Sequence, residues 1–404
     1  MNTKIDDKKI SSKETPSVGR IGLFIDNYFP IVDGVVRVVD NYATQFIQRD
    51  IPVSVFCPRY KSFDDSTRVY PVRRISSLQL GNFEYAIPAP KSTKGLRKEL
   101  LKGDYALFHV HSPFFLGRYA LRIARKKKIP VIATFHSKFY DDFLQRTKMK
   151  WLSKLLTRYV VRFFEKCDVV WAVNEGTKKT LLDYGYHGDI SVMPNGTHFT
   201  YPSNAKELRI EQRKEWNIKQ DDFIMLFVGH LIWQKNIKVI LDSLKILEDK
   251  GFSYHMIFVG EGGNSKEVKA YAEKLGLKNV RFVGAFKKQE NLQKIYAVAD
   301  LFYFPSVYDN APLVLREASV MKIPALLAKD SNSAENIVDG KNGFLAVPKA
   351  ENMAQKIEDI FHNKNRLEIG ENASQTIPMT WDKVINQVVI EYDKIIKNYH
   401  NKNK

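Results

Sequence analysis

Short apolar runs alternate with amphipathic stretches along almost the whole chain. The run at 20–26 (RIGLFID) precedes an Asn and, a little later, a Pro, which predicts a buried parallel strand. After Gly34, apolar residues recur at helical spacing and predict an amphipathic helix. Further strands are predicted at 52–57, 105–110, 131–135, 169–173 and 190–193, with helices at 115–128, 148–166 and 175–184. This alternation is typical of a doubly wound α/β domain.

A second series of the same kind follows a polar connector at 197–220. It predicts strands at 223–228, 255–259, 280–283, 301–304 and 325–327, and helices near 236–249, 264–275, 289–298, 312–321, 350–362 and 381–398. We therefore expect a disordered lead-in (1–18), two Rossmann-like domains (19–200 and 201–378) and a C-terminal helix with its tail (379–404). Because doubly wound sheets bind ligands at the carboxyl ends of their strands, two facing domains imply a cleft between them.

The charge of the chain is uneven. Its formal net charge is +18, and the segment 51–166 alone holds 24 basic and 8 acidic side chains. Such an excess of basic side chains is typical of proteins that bind nucleic acid, an anionic membrane or a phosphorylated substrate. Cys57 and Cys167 are too few for a disulfide framework and are expected to be buried free thiols. No stretch reaches the roughly 20 apolar residues of a membrane span, and the polar N-terminus does not resemble a signal peptide.

The segment 305–319 (PSVYDNAPLVLREAS) carries the strongest candidate chemistry. A predicted strand runs into a loop with Asp309, and the helix that follows carries Glu317. Both carboxylates can face the strand ends, where an ionised carboxylate can accept two hydrogen bonds from sugar hydroxyls. The alternative is that Asp309 caps the helix and Glu317 is a solvated side chain, and the spacing alone slightly favours that alternative.

Several motifs together resemble the family 4 retaining glycosyltransferases of GT-B fold. Pro305-Ser306, an acidic residue and Glu317-Ala318 match the family signature, and other motifs follow the family order over nearly the whole chain. They are the loop with Asp33-Gly34-Val35-Val36, the histidine motifs 109–113 (HVHSP) and 133–136 (ATFH), the turn 194–196 (PNG), Val228-Gly229, Lys235, and the glycine motifs 259–262 (VGEG) and 282–284 (FVG).

The resemblance implies a role for individual residues. Glu317 is similar to the glutamate that holds the nucleotide ribose, Asp309 to the acidic residue on the donor sugar, and Lys235 to the lysine on the donor diphosphate. The resemblance makes His136 and Asp309 the expected catalytic residues, with His136 near the reacting carbon. Gly34 would let the backbone approach the diphosphate. The remaining donor-binding positions implied by the family are His230, Gly284, Leu313 and Val314.

Three departures from the family pattern concern the donor pocket. His230 stands where Arg is common, so the positive charge would come mainly from Lys235 or from a protonated His230. Asp309 is one methylene shorter than the usual Glu. Ala311-Pro312 replaces Phe-Gly, and Pro312 has no backbone N–H for a sugar hydroxyl. We therefore expect an altered pocket around the donor hexose.

The resemblance also implies the chemistry. A hexose, glucose or galactose, would pass from a nucleotide-sugar (expected to be UDP-linked) with retention at the anomeric carbon. No cofactor and no essential metal are expected, since Asp64-Asp65 and Asp141-Asp142 are adjacent pairs without a DxD spacing. With no side chain placed as a covalent nucleophile, attack on the same face, guided by the leaving phosphate, is the expected route.

Two basic segments in the acceptor-side domain predict contact with an anionic membrane. The segment 90–102 carries Lys91, Lys94, Arg97, Lys98 and Lys102 with leucines at helical spacing, and 146–166 mixes Lys150, Trp151 and Lys154 with further cations and aromatics. For the second segment, a helix packed on the sheet with a solvated basic face is an equally good interpretation.

The loop near Gly34 and the segment 76–88 resemble members that glycosylate membrane lipids. We therefore expect a lipid acceptor such as diacylglycerol or glycosyl-diacylglycerol, and a cytoplasmic protein at the inner face of the cell membrane. The alternative acceptor is a capsule, teichoic acid or exopolysaccharide glycan. A non-catalytic nucleic-acid-binding module is the remote alternative, because no such motif is present.

Overall fold

The computed structural model describes residues 18–61, 63–79, 86–286 and 289–402. Of the expected lead-in at 1–18, residues 1–17 lie outside the described residues, while Val18 is buried in the core of the first domain. Part of the segment 76–88 also lies outside them.

The first domain is built on a parallel sheet of seven described strands. Most of its strands are buried apolar runs, as in β2, where every residue is buried. Their order is β3-β2-β1-β6-β7-β8-β9. The strands are β1 (Arg20–Phe24), β2 (Val53–Pro58), β3 (Val72–Ile75), β6 (Tyr105–Val110), β7 (Val131–Phe135), β8 (Val169–Ala172) and β9 (Ile190–Val192), with a small antiparallel pair of β4 (Ser77–Leu78) and β5 (Ile87–Pro88).

Helices cover both faces of this sheet. They are α1 (Gly34–Ile47), α2 (Leu96–Lys102), α3 (Phe115–Lys127), α4 (Phe139–Thr147), α5 (Lys150–Phe164) and α6 (Glu175–Asp183). Asp33 caps α1 by accepting the N–H of Val36 at 2.8 Å, and Asn174 caps α6 by accepting the N–H of Thr177 at 2.8 Å.

The second domain repeats the plan with a parallel sheet of six described strands in the order β12-β11-β10-β13-β14-β15. Its strands are β10 (Ile224–Val228), β11 (His255–Val259), β12 (Val280–Phe282), β13 (Leu301–Phe304), β14 (Ala325–Ala328) and β15 (Phe344–Ala346). Its helices are α7 (Ala205–Glu215), α8 (Ile237–Asp249), α9 (Ser265–Lys274), α10 (Gln289–Val298), α11 (Leu313–Val320), α12 (Ala350–His362) and α13 (Arg366–Thr376).

The polar connector contains α7, which a buried ion cluster fixes to the second sheet. Arg213 is fully buried and donates to Asp300 at 2.8 Å, while Arg209 donates to the other oxygen of Asp300 at 2.7 Å. Arg213 also donates to backbone carbonyls near the start of β10. Asp300 therefore holds both arginines of α7 within the second domain.

The last helix, α14 (Trp381–Lys402), returns to the first domain. Its buried face, which includes Trp381, Val388 and Tyr392, belongs to the same core as α1 and β1. The chain crosses where the N–H of Thr197 donates to the carbonyl of Met379 at 2.8 Å. The predicted architecture, two doubly wound domains with a C-terminal helix crossing back, is confirmed.

The strands and helices that the pattern did not predict have weak or broken apolar signals. β3 (VRRI) is a half-buried edge strand with two arginines, and it lacks an apolar run. The single helix predicted at 148–166 is preceded by a separate α4, because Lys148 has a left-handed φ of 56° and Met149 is extended. Both cysteines are free, Cys57 buried and Cys167 partly buried.

Candidate functional site

The candidate donor site lies at the carboxyl ends of strands in the second sheet. β10 runs into Gly229 and β11 into Gly260, and a Cβ at Gly260 would lie 2.0 Å from the carbonyl oxygen of Gly229. Gly260 also has a φ of 126°, which other residues rarely adopt. These two glycines therefore let the strand ends approach closely beneath the loop that carries Lys235.

Lys235 and Asp309 are joined in an ion pair. The Nζ atom of Lys235 donates to both carboxylate oxygens of Asp309 at 2.6 and 2.7 Å, and both side chains are largely buried. The hydroxyl of Ser306 donates to Asp309 at 2.6 Å. The residues predicted for the donor diphosphate and for the donor sugar thus lie in direct contact, so the two predicted subsites would be adjacent.

Glu317 lies in the second turn of α11. Its Oε2 atom accepts a hydrogen bond from the buried hydroxyl of Tyr296 at 2.9 Å. Burial raises the pKa of the Glu317 carboxyl, and the Tyr296 hydrogen bond partly offsets this effect. Glu317 is therefore a fixed, partly buried carboxylate and not a solvated one.

The start of α11 shows whether Asp309 caps this helix, which was the alternative interpretation of the carboxylate. The helix begins at Leu313, its N-cap is Pro312, and the cap makes no side-chain hydrogen bond. The capping alternative for Asp309 is therefore wrong. The backbone N–H groups of Leu313 and Val314 belong to the first turn, where helices offer donors to a ligand.

The other predicted donor positions are more open. Gly34 begins α1 directly after the capping Asp33, and a Cβ at this position would meet no atom within 4 Å. Gly284 has a φ of 75°, and a Cβ on this residue would lie 3.6 Å from the Glu261 carboxylate. His230 is exposed in the loop after β10. The roles assigned to these three residues by the resemblance stay predictions.

His136 belongs to a group of three adjacent imidazoles at the ends of β6 and β7, in which the His136 ring stacks on His111 and the His109 ring is tilted against His111. Its Nε2 atom lies 3.1 Å from Nδ1 of His111, and His109 bonds the Tyr392 and Thr134 hydroxyls at 2.6 and 2.7 Å. Burial lowers the pKa of His136 to about 3 and the pKa values of His109 and His111 well below the usual range. All three rings are therefore neutral near pH 7.

The loop that carries Asp309 also touches the first domain on both sides of that residue. Lys138 donates to the carbonyl of Val307 at 2.6 Å, and the Tyr308 hydroxyl donates to Asp142 at 2.6 Å. Burial raises the pKa of the Asp142 carboxyl. The loop that carries Asp309 and the segment that follows His136 are thus in direct contact across the cleft.

Asn310 is a buried member of this loop with partners in both domains. It is 8% exposed, and its Nδ2 atom donates to the backbone carbonyl of His136 at 2.6 Å. Its Oδ1 atom accepts from Asn332 at 2.7 Å, and its carbonyl accepts from Asn174 at 2.9 Å. Asn310 therefore connects the second domain with the end of β7 through its side chain and with the cap of α6 through its backbone carbonyl.

A third contact closes the cleft at the start of α6. The two carboxylate oxygens of Glu335 accept the backbone N–H groups of Glu175 and Gly176 at 3.0 and 2.7 Å. A carboxylate is stabilised at a helix N-terminus by these donors and by the helix dipole. The two domains meet in this structure with their polar groups paired.

The predicted basic segment at 90–102 forms one wall of a pocket of about 570 Å³. Sequence analysis did not predict its other wall, which is α3. Six cations line the pocket, and no carboxylate of the described chain lies within ion-pair distance of them: Lys91, Lys94, Arg97, Lys98, Arg122 and Lys126. Lys102 is exposed at the end of α2. Leu96 and Leu100 are buried in the core, so the leucines of this segment are not free to enter a membrane.

The second predicted segment has an exposed apolar stripe. On α5, Trp151, Leu155 and Tyr159 are 66%, 55% and 48% exposed at a spacing of four residues, while Val160, Val161, Phe163 and Phe164 are buried in the core. Lys150 and Lys154 are exposed beside the stripe. The helix thus combines both interpretations, because its C-terminal half packs on the sheet and its N-terminal half presents apolar and basic side chains.

These two features share one face of the first domain. α3 lies between α2 and α5, because Lys127 donates to the carbonyl of Leu101 in α2, and Arg118 stacks on Tyr159 of α5 with 3.5 Å to the ring centroid. The three helices therefore form a continuous basic face. Within the described ranges, no helix is both long enough and apolar enough to cross a membrane.

Several residues at the site were missed by sequence analysis. Asn310 stands next to Asp309 in the signature, but nothing in the pattern distinguishes it from an ordinary loop residue. Tyr296 is a buried residue of α10, and sequence analysis assigned it no role. Arg122 and Lys126 are spaced by four on α3, a signal that could have placed them on one face.

Two family models match the chain. The model described as Glycosyltransferase Family 4 matches residues 32–200, and the one described as Glycosyl transferases group 1 matches residues 209–376. Among curated proteins, the chain is 24% identical over 345 residues to the alpha-monoglucosyldiacylglycerol synthase of Acholeplasma laidlawii, covering 80% of this chain and 84% of that protein. The enzyme of the same name from Streptococcus pneumoniae is 26% identical over 333 residues, covering 80% and 74%.

Solved structures share the fold. The sucrose-phosphate synthase of Thermosynechococcus elongatus superposes with a TM-score of 0.80 at 18% identity, covering 94% of this chain and 100% of that one. HepE of Anabaena in complex with UDP-glucose has a TM-score of 0.71 at 19% identity, covering 92% and 98%. At these sequence identities, the similarity shows that the two-domain fold is shared.

Proposed function

The chain belongs to the family 4 glycosyltransferases of GT-B fold, and we propose that it transfers a hexose, glucose or galactose, from a UDP-sugar to a membrane lipid. Diacylglycerol or a glycosyl-diacylglycerol is the proposed acceptor, as the names of the two curated relatives suggest. The main observation in favour of a lipid acceptor is the basic face of α2, α3 and α5. Trp151, Leu155 and Tyr159 are exposed on α5 next to exposed Lys150 and Lys154, and the pocket between α2 and α3 adds six cations without an ion-pair partner among the described residues.

Donor binding is proposed at the ends of β10 and β13. Lys235 would neutralise the diphosphate, Asp309 would bind hydroxyls of the sugar, and Glu317 would hold the ribose. Because Lys235 is already paired with Asp309, the diphosphate must share or replace a carboxylate. The N–H groups at the start of α11 and α1 add positive potential near the phosphates without a side-chain charge.

The proposed transfer occurs on one face of the sugar. The bond between the anomeric carbon and the UDP oxygen breaks, the acceptor hydroxyl oxygen forms the new bond, and its proton passes to the leaving phosphate. His136, neutral at the end of β7, would offer a hydrogen bond near the reacting carbon. Stabilisation of the leaving diphosphate by Lys235 is the main electrostatic contribution in this proposal.

The test is a transfer assay with the purified full-length protein. UDP-glucose, UDP-galactose and GDP-mannose are each offered with diacylglycerol in phosphatidylglycerol-containing vesicles, and the lipid product is identified by mass spectrometry and its anomeric configuration by NMR. We expect an α-linked hexosyl-diacylglycerol from one UDP-sugar, with activity retained in EDTA. A parallel reaction offers a soluble glycan acceptor in place of the vesicles. Transfer to the glycan and none to diacylglycerol would support the polysaccharide alternative and contradict the lipid acceptor.

Variants test the donor residues in the same assay. Lys235→Ala and Glu317→Ala are expected to abolish transfer. Lys238→Ala is the matched control, because Lys238 lies on the next turn, is exposed and pairs with Asp242 within α8. If either site variant keeps nearly the activity of the wild type, the assignment of the donor site is wrong.

A further inference from the structure

Asn310 contacts both domains at the proposed site. Neither the family signature nor the comparisons give this residue a role. Its neighbours in the loop divide between the domains. Val307 and Tyr308 contact the first domain, whereas Asp309 points back to Lys235 of the second. Asn310 then contacts the first domain again, through the carbonyl of His136. The loop is therefore bound on both faces around Asp309.

We propose that Asn310 is a positioning residue that sets the register between Asp309 and His136 when the two domains close. The proposal rests on the donor and acceptor sides proposed above. Asn310 is adjacent to Asp309 in the chain and hydrogen-bonded to the backbone of His136 in space. A displacement of this contact would therefore move the sugar-binding carboxylate relative to the histidine, even with both side chains intact.

The hydrogen bonds of Asn310 support positioning over simple space filling. Its amide nitrogen reaches His136, its amide oxygen is held by Asn332, and its carbonyl is held by Asn174. Asn332 therefore orients the side-chain amide so that its N–H points at the His136 carbonyl, and Asn174 holds the backbone of the same residue. A side chain of equal size without that N–H would leave a buried carbonyl without its donor, which costs free energy.

The same contact network contains a reporter of closure. The N–H groups of Glu175 and Gly176 are bonded to Glu335 across the cleft. Separation of the domains breaks both bonds and leaves these amide hydrogens free to exchange with solvent, so faster exchange in the peptide that contains them is the expected signature of domain opening. This measurement does not depend on the identity of donor or acceptor.

The experiment compares Asn310→Ala and Asn310→Asp with a control, Asn342→Ala. Asn310→Asp keeps the size and the acceptor oxygen but replaces the donor that reaches His136. Asn342 is also buried, at 6%, and makes its three side-chain hydrogen bonds within the second domain, to Val338, Asn336 and Thr376. It thus matches Asn310 in burial and bonding without touching the first domain.

We expect both Asn310 variants to bind UDP with unchanged affinity by calorimetry. Their kcat should fall about ten-fold, the effect of losing about one buried hydrogen bond in the closed state. Exchange at Glu175 and Gly176 should accelerate by a similar factor. Asn342→Ala should lower the melting temperature and leave kcat and this exchange at the values of the wild type.

Two outcomes would contradict the positioning role of Asn310, and a third would contradict only the proposed transfer reaction. If Asn310→Ala keeps both kcat and the slow exchange of the α6 peptide, Asn310 does not position the site. An equal loss of kcat in Asn342→Ala would also overturn the proposal, since general destabilisation would then explain the effect. If the wild type transfers to no acceptor, the proposed function fails, and the exchange measurement still decides whether Asn310 couples the domains.

Discussion

The basic pocket between α2 and α3 makes a quantitative prediction about membrane binding. We consider the triple variant Lys98→Gln, Arg122→Gln, Lys126→Gln, which removes three of the six cations that line the pocket. All three side chains are exposed and have no ion-pair partner in the described chain, so their removal leaves no buried group unpaired. The fold should therefore be unaffected.

The expected loss follows from the number of charges. A basic residue near an anionic surface contributes about 1 kcal/mol to binding, so three contribute about 3 kcal/mol. This corresponds to about a 100-fold lower partition coefficient onto anionic vesicles. The difference should largely disappear near 1 M salt, where the Debye length falls to about 3 Å from about 10 Å at 0.1 M.

Sedimentation with sucrose-loaded vesicles measures the partition coefficient as a function of phosphatidylglycerol content. The control is Lys266→Gln, Lys274→Gln, Lys278→Gln, which removes the same charge from exposed positions in and after α9 of the second domain. We expect the control to bind like the wild type. An equal loss in both triple variants would mean that only net charge matters, and the assignment of a membrane face to α2 and α3 would be refuted.

Three further predictions concern buried groups. Asp300→Ala leaves the buried Arg213 guanidinium without its carboxylate and should lower the free energy of unfolding in urea by about 3–5 kcal/mol; a loss under 1 kcal/mol would contradict the role of this cluster. Burial raises the pKa of Asp26 from 3.8 to about 7, so the folded state binds a proton that the unfolded chain has released, and stability falls as the pH rises through this window. Asp26→Asn should therefore raise the melting temperature at pH 8 and much less at pH 5, and equal shifts at both values would contradict the raised pKa. Tyr296→Phe removes the hydrogen bond to Glu317 and should weaken UDP binding about ten-fold by calorimetry, whereas unchanged affinity would count against the ribose role.

The sequence predicts the fold well because the signal is local. Strands such as β6, β7 and β13 are apolar runs of four to six residues, and the helices between them repeat at 3.6 residues, so each element can be identified without its neighbours. The exceptions are elements whose residues carry little of that signal. β3 has two arginines in four positions and is a strand because β2 offers it an edge.

The sequence predicts only part of the candidate site. The residues that it did not predict are those whose contacts come from distant parts of the chain. Asp309, Glu317 and Lys235 lie in recognisable motifs of one domain. Asn310 acquires its partners from His136, 174 positions away, and from Asn174, 136 positions away. Those contacts depend on how two separately folded domains meet, and no pattern along the chain encodes that orientation.

The net charge of a segment does not show which of its cations have a carboxylate partner. In the structure, the proposed donor site and the proposed membrane face differ in this respect. In the donor site, Lys235 is neutralised by Asp309, so a diphosphate must compete with a carboxylate that is already in place. In the pocket between α2 and α3, the described structure places six cations together without a carboxylate partner. Like charges at such distances repel one another, and an anion placed among them relieves that repulsion. An anionic surface is therefore expected to gain more from this pocket per cation than the donor gains from Lys235.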